Sequence, residues 1–110
     1  MQISFKSNKL KKQLTDPKNL LKSYGQMAKK INQRIKDLEA AENLAVMRTI
    51  PAARCHELTE GRKDEFAVDV SKNYRLIFMA DHEPIPIKED GGKDWDQITH
   101  IKIIEIDDYH

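Results

Sequence analysis

Cysteine is nearly absent from this sequence: Cys55 stands alone among 110 residues. An internal disulfide is therefore excluded, and no Cys/His spacing matches a structural zinc site, so a reducing compartment, the cytoplasm, is expected. Long apolar runs are also missing. None exceeds a few residues, far below the roughly 20 that a membrane helix requires. The opening Met1-Gln2-Ile3-Ser4-Phe5-Lys6 lacks the apolar centre of a signal peptide. No membrane, metal or organic cofactor is expected, and the length suits one domain, residues 1–110, with no room for a separate cofactor domain.

Net charge is scarce as well, at +1. Taken alone it argues against a dedicated nucleic-acid binder. The two halves, however, oppose each other. Residues 1–54 hold 12 basic and 4 acidic side chains, a net +8, and residues 55–110 hold 7 basic and 14 acidic, a net −7. The basic half could contact RNA phosphates; the ordinary reading of its lysines is a solvated helix face.

What is present is a helical first half and a strand-rich second. Gln2 to Phe5 alternates as a short strand, and Lys9 to Leu14 suits a brief amphipathic helix. Asp16 followed by Pro17 predicts a helix start, with Asp16 as cap and Pro17 at the first position. From there Leu20, Tyr24, Met27, Ile31, Ile35 and Leu38 form one stripe of a long helix, with Lys18, Lys22, Lys29, Lys30, Arg34 and Lys36 over the remaining surface. Gly25 is a weak point in this helix, costing about 1 kcal/mol relative to Ala, and the pattern continues through it.

Beyond Arg54 the period becomes two. Phe66 to Val70 and Tyr74 to Phe78 predict a hairpin turning at Lys72-Asn73, and Ile98 to Ile106, apolar on both faces, predicts an interior strand. Arg54 to Leu58 supplies a further short strand. Between Ala80 and Gln97, four Pro and Gly residues and six acidic ones predict an extended surface loop. The expected fold is α+β, with N-terminal helices packed on one face of a small, mainly antiparallel sheet. Arg75 alternates with Tyr74, Leu76 and Phe78 and so faces the uncovered side, where a cation suits a phosphate. The competing reading of Arg75 is a surface ion pair.

Three segments resemble a known family. They are Arg54-Cys55-His56-Glu57-Leu58-Thr59-Glu60-Gly61-Arg62-Lys63-Asp64-Glu65-Phe66, then Asn73-Tyr74-Arg75-Leu76-Ile77-Phe78, then Glu105-Ile106-Asp107-Asp108-Tyr109-His110. In this order they resemble the HigB, or killer-protein, branch of the RelE/ParE toxins of bacterial type II toxin–antitoxin systems, whose pattern is H-x-L, G-x-R, W/Y-R-I/L-x-F and a final D-Y-H. The resemblance implies a messenger-RNA endonuclease acting on the ribosome and neutralised by a helix-turn-helix, HigA-like antitoxin, with promoter DNA bound only through that complex.

Residue by residue it implies catalytic roles for His56, Arg75, Asp108, Tyr109 and His110, and RNA-binding roles for Arg54, Arg62, Lys63 and Lys72. The chemistry agrees. RNA is cut without metal when the ribose 2′-OH attacks the adjacent phosphate, which needs a base, a cation for the phosphorane charge and an acid for the leaving 5′ oxygen. Histidine serves either proton transfer near neutrality, with the order for His56 and His110 open, and arginine supplies a permanent planar fork. The chain departs from its relatives at Thr59 and Glu60, where several carry a basic residue, at Lys72, where a second arginine is frequent, and in its longer loop from Asp81 to Asp96. Two alternatives follow: a ParE-like toxin that binds a topoisomerase and cuts nothing, or a degenerate toxin with only a regulatory role.

Overall fold

The computed structural model describes residues 1–59 and 61–108. Strand β1 (Gln2–Phe5) leads into helix α1 (Asn8–Thr15), whose first turn is capped by the Ser7 hydroxyl accepting from the Leu10 amide. Asp16 caps α2 (Pro17–Tyr24) as expected, its carboxylate accepting from the Lys18 amide with Pro17 at the helix start. The long helix does not form as one piece. Gly25 adopts φ 52° and ψ −121°, a single 3-10 turn spans Gly25–Met27, and α3 (Ala28–Ala40) then begins. Only glycine adopts that backbone without strain, so Gly25 makes a bend rather than weakening a continuous helix. The apolar stripe survives because the 3-10 turn keeps its phase: Leu20, Ile31, Ile35 and Leu38 are buried, and Tyr24 and Met27 pack against them.

Arg34, expected on the solvated face, is also buried at 5% exposure. Its guanidinium donates to the Asp69 carbonyl, the Asp37 carboxylate and the Ala52 carbonyl. A charge in the core is tolerable only when its donors are satisfied in this way.

The strands β2 (His56–Glu57), β3 (Glu65–Asp69), β4 (Tyr74–Ala80) and β5 (His100–Asp108) join β1 in a five-stranded sheet of order β1-β5-β4-β3-β2. All pairings are antiparallel except β1 with β5. β5 therefore lies between two strands, the interior position its sequence predicts. The hairpin connection is Val70–Asn73, two residues longer than the expected turn, closed by Val70 and Ser71 amides donating to the Tyr74 carbonyl. Phe66, Val68, Leu76, Phe78, Ile101 and Ile103 face the helices and form the core with them.

One irregularity shapes the opposite face. Between Ile77 and Phe78 the β4–β5 register shifts, so that Phe78 opposes Ile103 and Ile77 opposes Glu105, leaving Ile104 as an extra residue. This bulge resets the alternation of β5. Ile101, Ile103 and Ile106 pack into the main core, Ile104 joins Leu58, Ala67 and Ile77 in a small cluster on the uncovered face, and Glu105 and Asp107 stand on that face too.

The segment after β4 is more ordered than an extended loop. Ile87 and Lys93 form an antiparallel bridge, a 3-10 turn spans Trp95–Gln97, and Trp95 and Ile98 are buried. Trp95 meets the Phe66 ring edge-on with centroids 5.2 Å apart and carries the Arg48 guanidinium 3.7 Å above its own face. The start of the segment is held by His82, whose Nε2 accepts from the amides of Thr99 and His100. Among the described residues, no helix is long and apolar enough to cross a membrane.

Candidate active site on the uncovered sheet face

The sheet register sets the side chains of the uncovered face in rows. His56 opposes Ala67, Ala67 opposes Ile77, and Ile77 opposes Glu105. In the next row Asp69 opposes Arg75, which opposes Asp107. Alternation along each strand puts these residues on one side, away from the helices.

A concavity of about 360 Å³ opens on this face, lined by His56, Glu57, Leu58, Thr59, Arg62 and Arg75. Three sequence-predicted residues, His56, Arg62 and Arg75, thus meet around one space, although they are distributed over two strands and a turn. Leu58, Ala67, Ile77 and Ile104 provide an apolar floor beside them.

His56 is oriented from behind. Arg54 has left-handed backbone, φ 42° and ψ 53°, at the end of a 3-10 turn spanning Pro51–Ala53. Its carbonyl oxygen lies 2.7 Å from His56 Nδ1. A carbonyl only accepts, so Nδ1 carries the proton, and Nε2 is left as the nitrogen that takes up or releases the second one. The uncommon conformation at Arg54 is braced by its side chain, whose Nε and Nη2 donate to the two Asp69 carboxylate oxygens at 2.8 and 3.1 Å.

The arginines are all engaged with carboxylates. Arg62 follows Gly61, which has φ 79°, and its Nη1 and Nη2 donate to Glu65 Oε1 at 2.6 Å and Glu105 Oε1 at 2.7 Å. These hydrogen bonds, that of Glu105 foremost, hold the Arg62 pKa above its already high ordinary value. Arg75 donates through Nε to Asp107 Oδ2 at 3.1 Å, and its Nη2 forms an ion pair with the same oxygen at 3.0 Å. With Arg54 and Asp69 this places three guanidiniums against four carboxylates on one face. The ion pair considered for Arg75 from sequence is therefore present, and Arg75 also lines the concavity.

The remaining expected residues lie elsewhere. Lys63 lines a different concavity, against the Asp81–Lys93 segment. Lys72 lines a third, beside Lys30 and Arg34. Arg54 braces the site from the neighbouring row. Asp108 ends β5 opposite Tyr74 and is exposed. Tyr109 and His110 lie outside the described residues. Sequence reasoning missed Glu65, Glu105 and Asp107; the spacing of Glu105 and Asp107 on either side of Ile106 tells that these two share a face, and the bulge at Ile104 makes it the face of Arg75.

Cys55, adjacent to His56, is no nucleophile. Burial pushes its thiol up to about 12, against a smaller lowering by Arg48, so the thiolate is negligible near neutrality. Lys93 also borders the site: its ammonium bridges Asp64 and Glu57 at 2.8 and 3.1 Å and fastens the Asp81–Gln97 segment to β2. Hydrogen bonding to Asp64 raises its pKa, against a smaller lowering by burial.

Comparison with known proteins bears on the family and the fold. No curated protein sequence matches the chain. Among solved structures, the fold is similar to a YoeB/ParE toxin from Agrobacterium tumefaciens, at 10% identity over the whole of both chains with a TM-score of 0.53. It is also similar to the YoeB-YefM complex from Staphylococcus aureus, at 19% identity and a TM-score of 0.54, and to the YoeB dimer from Staphylococcus aureus, at 18% and 0.52, each covering all of this chain and 97% of the other. At these identities the likeness concerns the fold. The family model described as the RelE-like toxin of the type II toxin–antitoxin system HigB matches residues 3–85, three quarters of the chain, and the protein belongs to that family of type II toxins.

Proposed function

We propose that residues 1–110 act as one toxin domain that cleaves messenger RNA in the cytoplasm, on the ribosome, and is neutralised by a helix-turn-helix antitoxin. The observation that carries the reading is the convergence of His56, Arg62 and Arg75 on one concavity of the uncovered face, with the His56 ring held through Nδ1. The family match and the complex formed by the similar YoeB with YefM support the antitoxin partner.

In this mechanism the ribose 2′-OH gives its proton to an imidazole, the O2′–P bond forms and the P–O5′ bond breaks. The leaving 5′ oxygen takes a proton from a second group, leaving a 2′,3′-cyclic phosphate and a 5′-hydroxyl. His56 Nε2 is assigned one of the two transfers and His110 the other. Arg75 neutralises the non-bridging oxygens as charge develops, a contribution typically worth about 10²- to 10³-fold in rate. Asp108 fixes an imidazole and Tyr109 stacks on a base; Arg54 positions His56, and Arg62 holds the RNA backbone. Lys63, Lys72 and the lysines of α1 and α2 are proposed to meet RNA phosphates farther out.

One observation favours a second reading, a ParE-like toxin that binds a topoisomerase. The arginines of the face are already paired with carboxylates, and a protein surface complements such pairs more readily than a polyanion does. Expression without antitoxin separates the two. Transcripts cut at defined codons support the nuclease; DNA damage with intact transcripts supports the binder.

A further inference from the structure

The nuclease reading leaves one feature of the site unexplained: the guanidinium proposed to hold RNA has both ends occupied. Arg62 Nη1 and Nη2 reach two different carboxylates, Glu65 from three residues on and Glu105 from β5, 43 residues away. A carboxylate and a phosphodiester present the same pair of oxygens to such a fork. The two acids are not equivalent. Glu65 is 24% exposed and anchored beside the turn, whereas Glu105 is 41% exposed and reaches across from the next-but-one strand.

We propose that Glu105 is a specificity-determining residue that occupies the phosphate seat of Arg62 and must swing out before RNA binds there. The proposal rests on the nuclease reading. With both carboxylates in place the Arg62 cluster carries a net negative charge, so small free anions gain too little to open it. A substrate held by further contacts, as on a ribosome, displaces the exposed arm and leaves Glu65 holding Arg62 in position. Glu105 thus lowers affinity for free RNA and confines binding to RNA presented from elsewhere.

The test measures binding of a short single-stranded RNA, 2′-O-methylated throughout so that it is not cleaved, by fluorescence anisotropy between about 50 and 200 mM KCl. Wild type, Glu105→Gln, Arg62→Ala, the double variant and Arg75→Ala are compared, with thermal melts to verify folding and Glu105→Ala as a second substitution. Glu105→Gln is expected to bind roughly three- to tenfold more tightly at the low-salt end, with the slope of log affinity against log salt steeper by about 0.7, one added phosphate contact. In the Arg62→Ala background that gain disappears, whereas a general effect of removing one negative charge would persist. Unchanged or weaker binding by Glu105→Gln, or a gain that survives in Arg62→Ala, overturns the proposal while a loss in Arg75→Ala leaves the nuclease reading standing. If no variant, Glu105→Gln included, binds RNA at any salt, the proposal falls, and the nuclease reading is decided separately by cleavage of message held on the ribosome.

Discussion

The buried Arg34 guanidinium donates from Nε to the carbonyl of Asp69 at 2.7 Å, joining α3 to the end of β3 at the residue whose side chain grips Arg54. One aspartate thus connects the helical layer, through its backbone, to the support of His56, through its carboxylate. Removing Arg34 takes a donor from the Asp69 and Ala52 carbonyls and from Asp37 Oδ2 in a mostly buried setting, leaving Asp37 the bond its Oδ1 accepts from the Gln33 amide. Arg34→Met is expected to lower stability by about 3 kcal/mol, and Arg34→Lys by less, because the lysine keeps charge but reaches fewer acceptors. Urea unfolding of the two variants measures this directly.

Gly25 carries a prediction with a reversed sign. In a continuous helix Gly25→Ala would stabilise by about 1 kcal/mol. At φ 52° and ψ −121°, with no atom within 4 Å of the added Cβ, the substitution meets space but a backbone that alanine resists. A loss of about 1–3 kcal/mol is expected, read as a drop in melting temperature.

Cys55 is expected to be inert. With its thiol pushed up to about 12 by burial, native protein reacts slowly with a thiol reagent at pH 8 and rapidly once unfolded. The pH dependence has a definite sign. Between the unfolded value of about 8.5 and the folded one, the unfolded chain binds fewer protons, so stability falls with rising pH at up to about 1.4 kcal/mol per unit. Cys55→Ala removes that alkaline slope, measured as unfolding free energy against pH.

Lys93 binds the acidic segment to the site's edge. Lys93→Met keeps the stem and loses both ion pairs, and is expected to cost about 1 kcal/mol and to speed amide exchange between Asp81 and Gln97. Because the folded pKa of Lys93 is raised, its contribution is complete below the unfolded value of about 10.4 and disappears as pH climbs through the folded value. The difference between wild type and variant is therefore flat from pH 7 to 10 and shrinks above.

The sequence made the strands of the hairpin and β5 legible because alternation reports burial directly, and Arg75 followed from its phase against Leu76 and Phe78. His56 and Arg62 came with the family pattern. Gly25 was misread because a 3-10 turn preserves the helical stripe, so periodicity passes over the bend. Arg34 was misread because a basic residue among lysines resembles a solvated face until its acceptors, 3 to 35 residues away, are located. Glu105 was hidden by the bulge at Ile104, which no alternation rule anticipates. The acidic segment looked like loop because its anchors, Trp95, His82 and Lys93, act through contacts distant in sequence.

The central claim is that the concavity of His56, Arg62 and Arg75 cleaves RNA, and the ends of the cut RNA test it most directly. Ribosomes loaded with a defined message are incubated with wild type, His56→Ala or Arg75→Ala, and the ends of the cut message are identified. The account predicts cuts bearing 2′,3′-cyclic phosphate and 5′-hydroxyl ends, with the rate reduced about 10²-fold or more in each variant while both still fold. Cleavage at wild-type rate by both variants, or ends bearing a 5′-phosphate, would contradict it.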